Sequence, residues 1–119
     1  MFVVVEKLTD LQDALDRLCG FLQDREVPFE HVFDSKLVVS ELVANALTHS
    51  KAVASFESEV QDGFIRIKVS SSVKFVLPEK SVCSNVYAEH GRGLYLVDSV
   101  CESRTTTEQG EILVTIKIK

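Results

Sequence analysis

With 119 residues, 45% of them hydrophobic and 26% charged, the chain has material for one compact core over residues 1–119 and is too short for a second. Its net charge of -5, with no cluster of Lys or Arg, excludes nucleic-acid backbone binding as the main activity, which takes a basic face. No apolar run approaches the ~20 residues of a membrane span, and the first residues, Met1-Phe2-Val3-Val4-Val5-Glu6, lack the basic region and cleavage site of a signal peptide, so a soluble cytoplasmic protein is expected.

In chain order, residues 2–6 form a short β-branched run that reads as a strand. Thr9 and Gln12 have the spacing of a capping box, opening a helix whose apolar positions Leu11, Ala14, Leu15, Leu18, Cys19 and Leu22 follow helical periodicity. Val27-Pro28 breaks it. A second, central helix begins between Pro28 and Asp34 and ends near His49-Ser50, with Leu37, Val38, Val39, Leu42, Val43, Ala46 and Leu47 spread over most of its circumference. Residues 52–60 and 64–70 read as two strands joined at Gln61-Asp62-Gly63, where Asp-Gly favours a tight hairpin. In the second of them Ile65, Ile67 and Val69 alternate with Arg66 and Lys68, which gives one buried and one wet sheet face.

The pattern lapses over residues 71–90, a connection long enough to read as a functional lid. Gly91-Arg92-Gly93 then opens a helix through Leu94, Leu96, Val97 and Val100, and residues 102–107 and 112–118 form a closing hairpin that turns at Glu108-Gln109-Gly110. Strands in hairpins with about three helices imply an α+β two-layer sandwich, a mixed, largely antiparallel sheet covered on its one apolar face. Cys19, Cys83 and Cys101, an odd number without metal-type spacing, read as reduced thiols rather than a disulfide framework or a zinc site.

Two features carry chemistry. Glu41, Asn45 and His49 lie four apart, so they share one narrow polar stripe on an otherwise apolar helix. A buried carboxylate without a partner is costly, so Glu41 must meet water, a cation, a metal or a ligand. The second feature is Gly91-Arg92-Gly93, where free N–H groups at a helix start bind phosphate and glycine permits close approach. Together they suggest a nucleotide held between a metal-binding helix and a phosphate-binding helix end, with oxygen ligands suited to Mg²⁺. Plainer readings stay open: Glu41 paired to a buried Arg or Lys, Asn45 a satisfied core amide, His49 settled at a helix C-terminus, Gly91-Arg92-Gly93 a simple turn into a helix, and Arg92 a solvated side chain.

Ser40-Glu41-Leu42-Val43-Ala44-Asn45-Ala46 with His49 resembles the N box of the GHKL ATPase superfamily, which includes DNA gyrase and the histidine kinases. His90-Gly91-Arg92-Gly93-Leu94-Tyr95-Leu96-Val97 resembles its second glycine box. The spelling of both is most similar to the small bacterial anti-sigma factors that act as serine protein kinases in partner switching. The resemblance implies a histidine-kinase-like ATPase fold that binds Mg·ATP, sequesters a sigma factor, phosphorylates Ser or Thr on an antagonist protein, and leaves room for a homodimer. It makes Asn45 the Mg²⁺ ligand and Glu41 the base for the attacking hydroxyl, with Gly91, Arg92, Gly93 and Leu94 around the phosphates.

One box departs from the family. Where the family has Asp-x-Gly-x-Gly for the adenine amino group, this chain has Ser71-Ser72-Val73-Lys74-Phe75. Ser71 would accept that bond as a neutral group, a loss on the order of 1 kcal/mol against a carboxylate, and Val73 and Phe75 would add bulk near the base. The competing reading is a non-catalytic module that binds protein partners through a degenerate nucleotide site; a detached ATPase domain of a two-component sensor is a third, which the short lid and the lack of a phosphoacceptor helix pair disfavour.

Overall fold

The computed structural model describes residues 1–50, 53–72 and 89–118, with the side chains of residues 49, 50 and 89–94 outside that description. Along the chain run β1 (Phe2–Val5), α1 (Leu11–Asp24), α2 (Phe29–Ser50), β2 (Ala54–Gln61), β3 (Phe64–Ser71), α3 (Glu89–Val100), β4 (Ser103–Thr106) and β5 (Ile112–Lys117). The five strands form one sheet in the order β1-β2-β3-β5-β4.

The α+β sandwich expected from the strand and helix patterns is the observed architecture, with one change: among the described residues every strand pairing is antiparallel, so the described sheet is not mixed. The connections explain it. Two helices between β1 and β2 return the chain to the end of the sheet it left, which makes those neighbours antiparallel. Beyond the connection that carries α3, β4 runs in the same direction as β3, and β5 turns back and inserts between them.

Period-two patterning decides which face is covered. Val3 and Val5, Ala54 and Phe56, Ile65, Ile67 and Val69, and Ile112, Val114 and Ile116 are all buried. Register aligns them in rows across the sheet, with Phe56 opposite Val69, Ile67 opposite Val114 and Ile65 opposite Ile116. Over this face lies α2, which packs on β2, β3 and β5 and is flanked by α1 and α3. Its Val38, Val39, Leu42, Val43 and Ala46 are fully buried. The opposite side of its first half is not covered: Phe29 is 79% and Phe33 59% exposed.

Local chemistry sets the ends. A 3-10 turn, Leu8–Asp10, precedes α1, and Asp10 rather than Thr9 is the N-cap, with no side-chain cap bond; the expected capping box is absent. At the other end Val27 N–H bonds Leu22 O at 3.1 Å and Glu26 N–H bonds Gln23 O at 2.9 Å, the paired bonds of a Schellman motif. Glu26 supplies its left-handed residue at φ 60°, so the helix closes before Pro28 is reached. In the β2–β3 hairpin Asp62 and Gly63 have φ of 55° and 80°, the two-residue type I′ turn that matches strand twist.

The long connection expected over residues 71–90 contributes Ser71 and Ser72 to strand β3 and its end, and residues 89 and 90 to α3. Residues 73–88, with Val73, Phe75 and Cys83, lie outside the described residues. Cys19 and Cys101 are free and half-buried against the core. No described helix is long and apolar enough to cross a membrane.

Candidate functional site

The candidate site starts from α2, the element that contacts both the sheet and the helix carrying the Gly-x-Gly segment. Among the described residues only Ser35, Asn45 and Ser58 are buried polar residues. Ser35 is explained locally, because its hydroxyl donates to His31 O at 2.8 Å. Asn45 is 7% exposed and sits among the fully buried Leu42, Val43 and Ala46 of its own helix. One turn earlier, Glu41 is half-buried and joins no ion pair among the described residues. A half-buried carboxylate stays partly hydrated at this position, which lowers the cost of burying it. His49 is in the last turn of α2, with its side chain outside the described residues.

Ser71 is the last residue of β3 and pairs with Ala54. Strand alternation puts it on the same side as Ile65, Ile67 and Val69, toward the helices, where a hydroxyl could meet a ligand lying between the layers. Next to it, Ser72 closes the strand end: its N–H donates to Val53 O at 2.8 Å and its hydroxyl accepts from Val53 N–H at 3.1 Å.

Gly91, Arg92, Gly93 and Leu94 fall inside the first turns of α3, which begins at Glu89, two residues ahead of the glycine. The far end of that helix is held firmly. Asp98 accepts two bonds along one edge of the Arg104 guanidinium, from Nε at 2.6 Å and Nη2 at 3.1 Å, with the Arg104 side chain 5% exposed. This two-bond link ties the last turn of α3 to edge strand β4, and no motif in the sequence announces it. Cys101 beside it has its thiol pushed up by burial first and by the Asp98 charge second, with Arg104 opposing, so it is a poor nucleophile.

A second polar group lies at the start of α2, where His31 Nε2 is 3.5 Å from Glu30 Oε1 and Nδ1 is 3.7 Å from Asp34 Oδ2. The Asp34 carboxyl is raised above its ordinary range, chiefly by burial; His31 pulls it back and Glu30 adds to the rise. The signal that could have found it is the Glu-His-x-x-Asp spacing, which puts the acids and the imidazole on neighbouring positions of one helix.

Among the described residues no three His, Cys, Asp or Glu side chains gather as a metal site. A divalent ion at Asn45 would therefore complete its shell with phosphate oxygens and water, the usual habit of Mg²⁺ beside a nucleotide. Comparison with protein-family models gives no match to this chain, and comparison with curated proteins gives none either.

Proposed function

We propose that this chain is a cytoplasmic regulatory factor that binds Mg·ATP between α2 and α3 and transfers phosphate to Ser or Thr of an antagonist protein, with a sigma factor as the partner it sequesters. The observation that carries this reading is Asn45, a buried amide on the helix that packs against the one bearing Gly91 and Gly93, with Glu41 reaching the surface one turn away. A core amide has no packing advantage over Leu at such a position, whereas a ligand-binding helix needs a polar group there.

In this reading Asn45 holds Mg²⁺ through its side-chain oxygen, and the metal neutralises phosphate charge when bound. Glu41 accepts the proton of the attacking hydroxyl, a role that suits a carboxylate open to the surface rather than sealed in an ion pair. Because α3 starts at Glu89 rather than at Gly91, the free N–H groups that phosphate would meet are those of its first turn, with Gly91 among them and Arg92, Gly93 and Leu94 next to it. Ser71 stands for the adenine-binding carboxylate of the family as a weaker, neutral acceptor.

The second reading, a partner-binding module with a degenerate nucleotide site, is favoured by the same Ser71, a neutral hydroxyl where the family has a carboxylate. Thermal unfolding with and without Mg·ATP separates the two. Ligand at 100 times its dissociation constant stabilises by ~2.7 kcal/mol, and Glu41→Gln should keep that shift while losing phosphoryl transfer. No shift at millimolar Mg·ATP would leave the partner-binding module.

A further inference from the structure

We propose that the outward face of α2 is a docking site for a cationic amphipathic helix of another protein. Phe29 and Phe33 are the two most conspicuous side chains on this face, 79% and 59% exposed, although aromatic side chains are costly to leave in water. At about 100° per residue, Phe29, Phe33, Leu37 and Ser40 fall within roughly 80° of arc and extend about 16 Å along the helix, the footprint of three helical turns. A hollow of about 180 Å³ opens at the end of this stripe, lined by Phe33, Lys36, Leu37 and Ser40, and it takes an aliphatic side chain.

Charge selects the occupant. The same geometry puts Glu30 and Asp34 along one flank of the stripe and Lys36 on the other, on a protein whose net charge is -5. A partner helix with an apolar stripe and a row of Lys or Arg on one side would pair its cations with the two carboxylates, and Lys36 on the opposite flank would fix which way it lies. A second copy of this chain fits poorly. A stable interface takes about 800 Å² from each side, spread over 20 or more residues, and four side chains on three turns do not approach that.

This inference does not rest on the nucleotide reading, and its test uses no nucleotide. The full ¹⁵N-labelled chain is titrated with a synthetic helix of roughly four turns, leucines at i, i+4, i+7 and i+11 with a lysine flank, and with its twin carrying glutamates for the lysines. The lysine helix should give saturable shifts confined to residues 29–40, with the glutamate twin bound at least about ten-fold more weakly. Phe33→Ser, a change at an exposed position that leaves the spectrum folded, should weaken the lysine helix by about ten-fold or more, and Glu30→Lys with Asp34→Lys should reverse the preference between the twins. No saturation up to about 1 mM, equal binding of the twins, or shifts centred elsewhere would overturn the proposal, as would a Phe33-dependent dimer in sedimentation.

Discussion

The two faces of the sheet are built from the same strands and obey opposite rules. Toward the helices, β2, β3 and β5 present Phe56, Ile65, Ile67, Val69, Ile112, Val114 and Ile116, all nearly free of solvent contact. Toward solvent they present Glu57 and Glu59 beside Lys68 and Arg66, across a shallow groove of about 340 Å³. Lys68 Nζ lies 3.7 Å from Glu57 and 3.6 Å from Glu111, and Arg66 lies 3.9 Å from Glu59. Stability therefore comes from the covered face, while the charged pairs of the open face keep neighbouring strands in register. Buried polar residues are few among the described residues: Ser35, Asn45 and Ser58.

Mutations chosen from each region can break this contrast. Phe56→Ala on the covered face should have the largest effect, about 3–5 kcal/mol by urea unfolding, because a fully buried ring leaves a cavity among packed side chains. A loss below about 1 kcal/mol would show that the covered face is not a tightly packed core. Asp98→Ala, at the edge between α3 and β4, should cost about 2 kcal/mol: it strands the buried Arg104, but Asp98 itself is 28% exposed, which lowers the figure for a wholly buried pair. The change should speed hydrogen exchange in the last turn of α3; unchanged exchange there would mean that the link does not hold the helix. Lys68→Ala on the open face should cost less than about 0.5 kcal/mol, and high salt should erase even that, since its side chain is 39% exposed. A salt-resistant loss of 2 kcal/mol or so would give the open face a structural weight equal to the edge.

Alternation at Ile65, Ile67 and Val69, helical spacing from Leu11 to Leu22, and the Asp62-Gly63 pair made the strands, the first helix and the hairpin legible, because each of these signals is local. Three features were not legible for the same reason in reverse. The Thr9 to Gln12 spacing fits a capping box, yet Thr9 falls in a 3-10 turn and α1 is capped at Asp10. Arg104 and Asp98 carry no pattern of their own, and only the packing of α3 on β4 brings them together and buries the guanidinium. The exposure of Phe29 and Phe33 had no signal either, since sequence spacing cannot tell which sides a neighbouring element will cover. Of the candidate site, Glu41 and Asn45 were legible from spacing alone, as a polar stripe in an apolar helix. Ser71 could be found only through the resemblance, because a serine at a strand end carries no signal of its own.

The nucleotide reading turns on the buried amide of α2. Titration calorimetry of Mg·ATP into the wild-type chain and into Asn45→Ala, with and without Mg²⁺, addresses it directly. The expected result is Mg²⁺-dependent binding by the wild type that weakens by at least about ten-fold in Asn45→Ala, with cooperative unfolding retained. Equal affinity in the two proteins, or no Mg·ATP binding by the wild type, would contradict it.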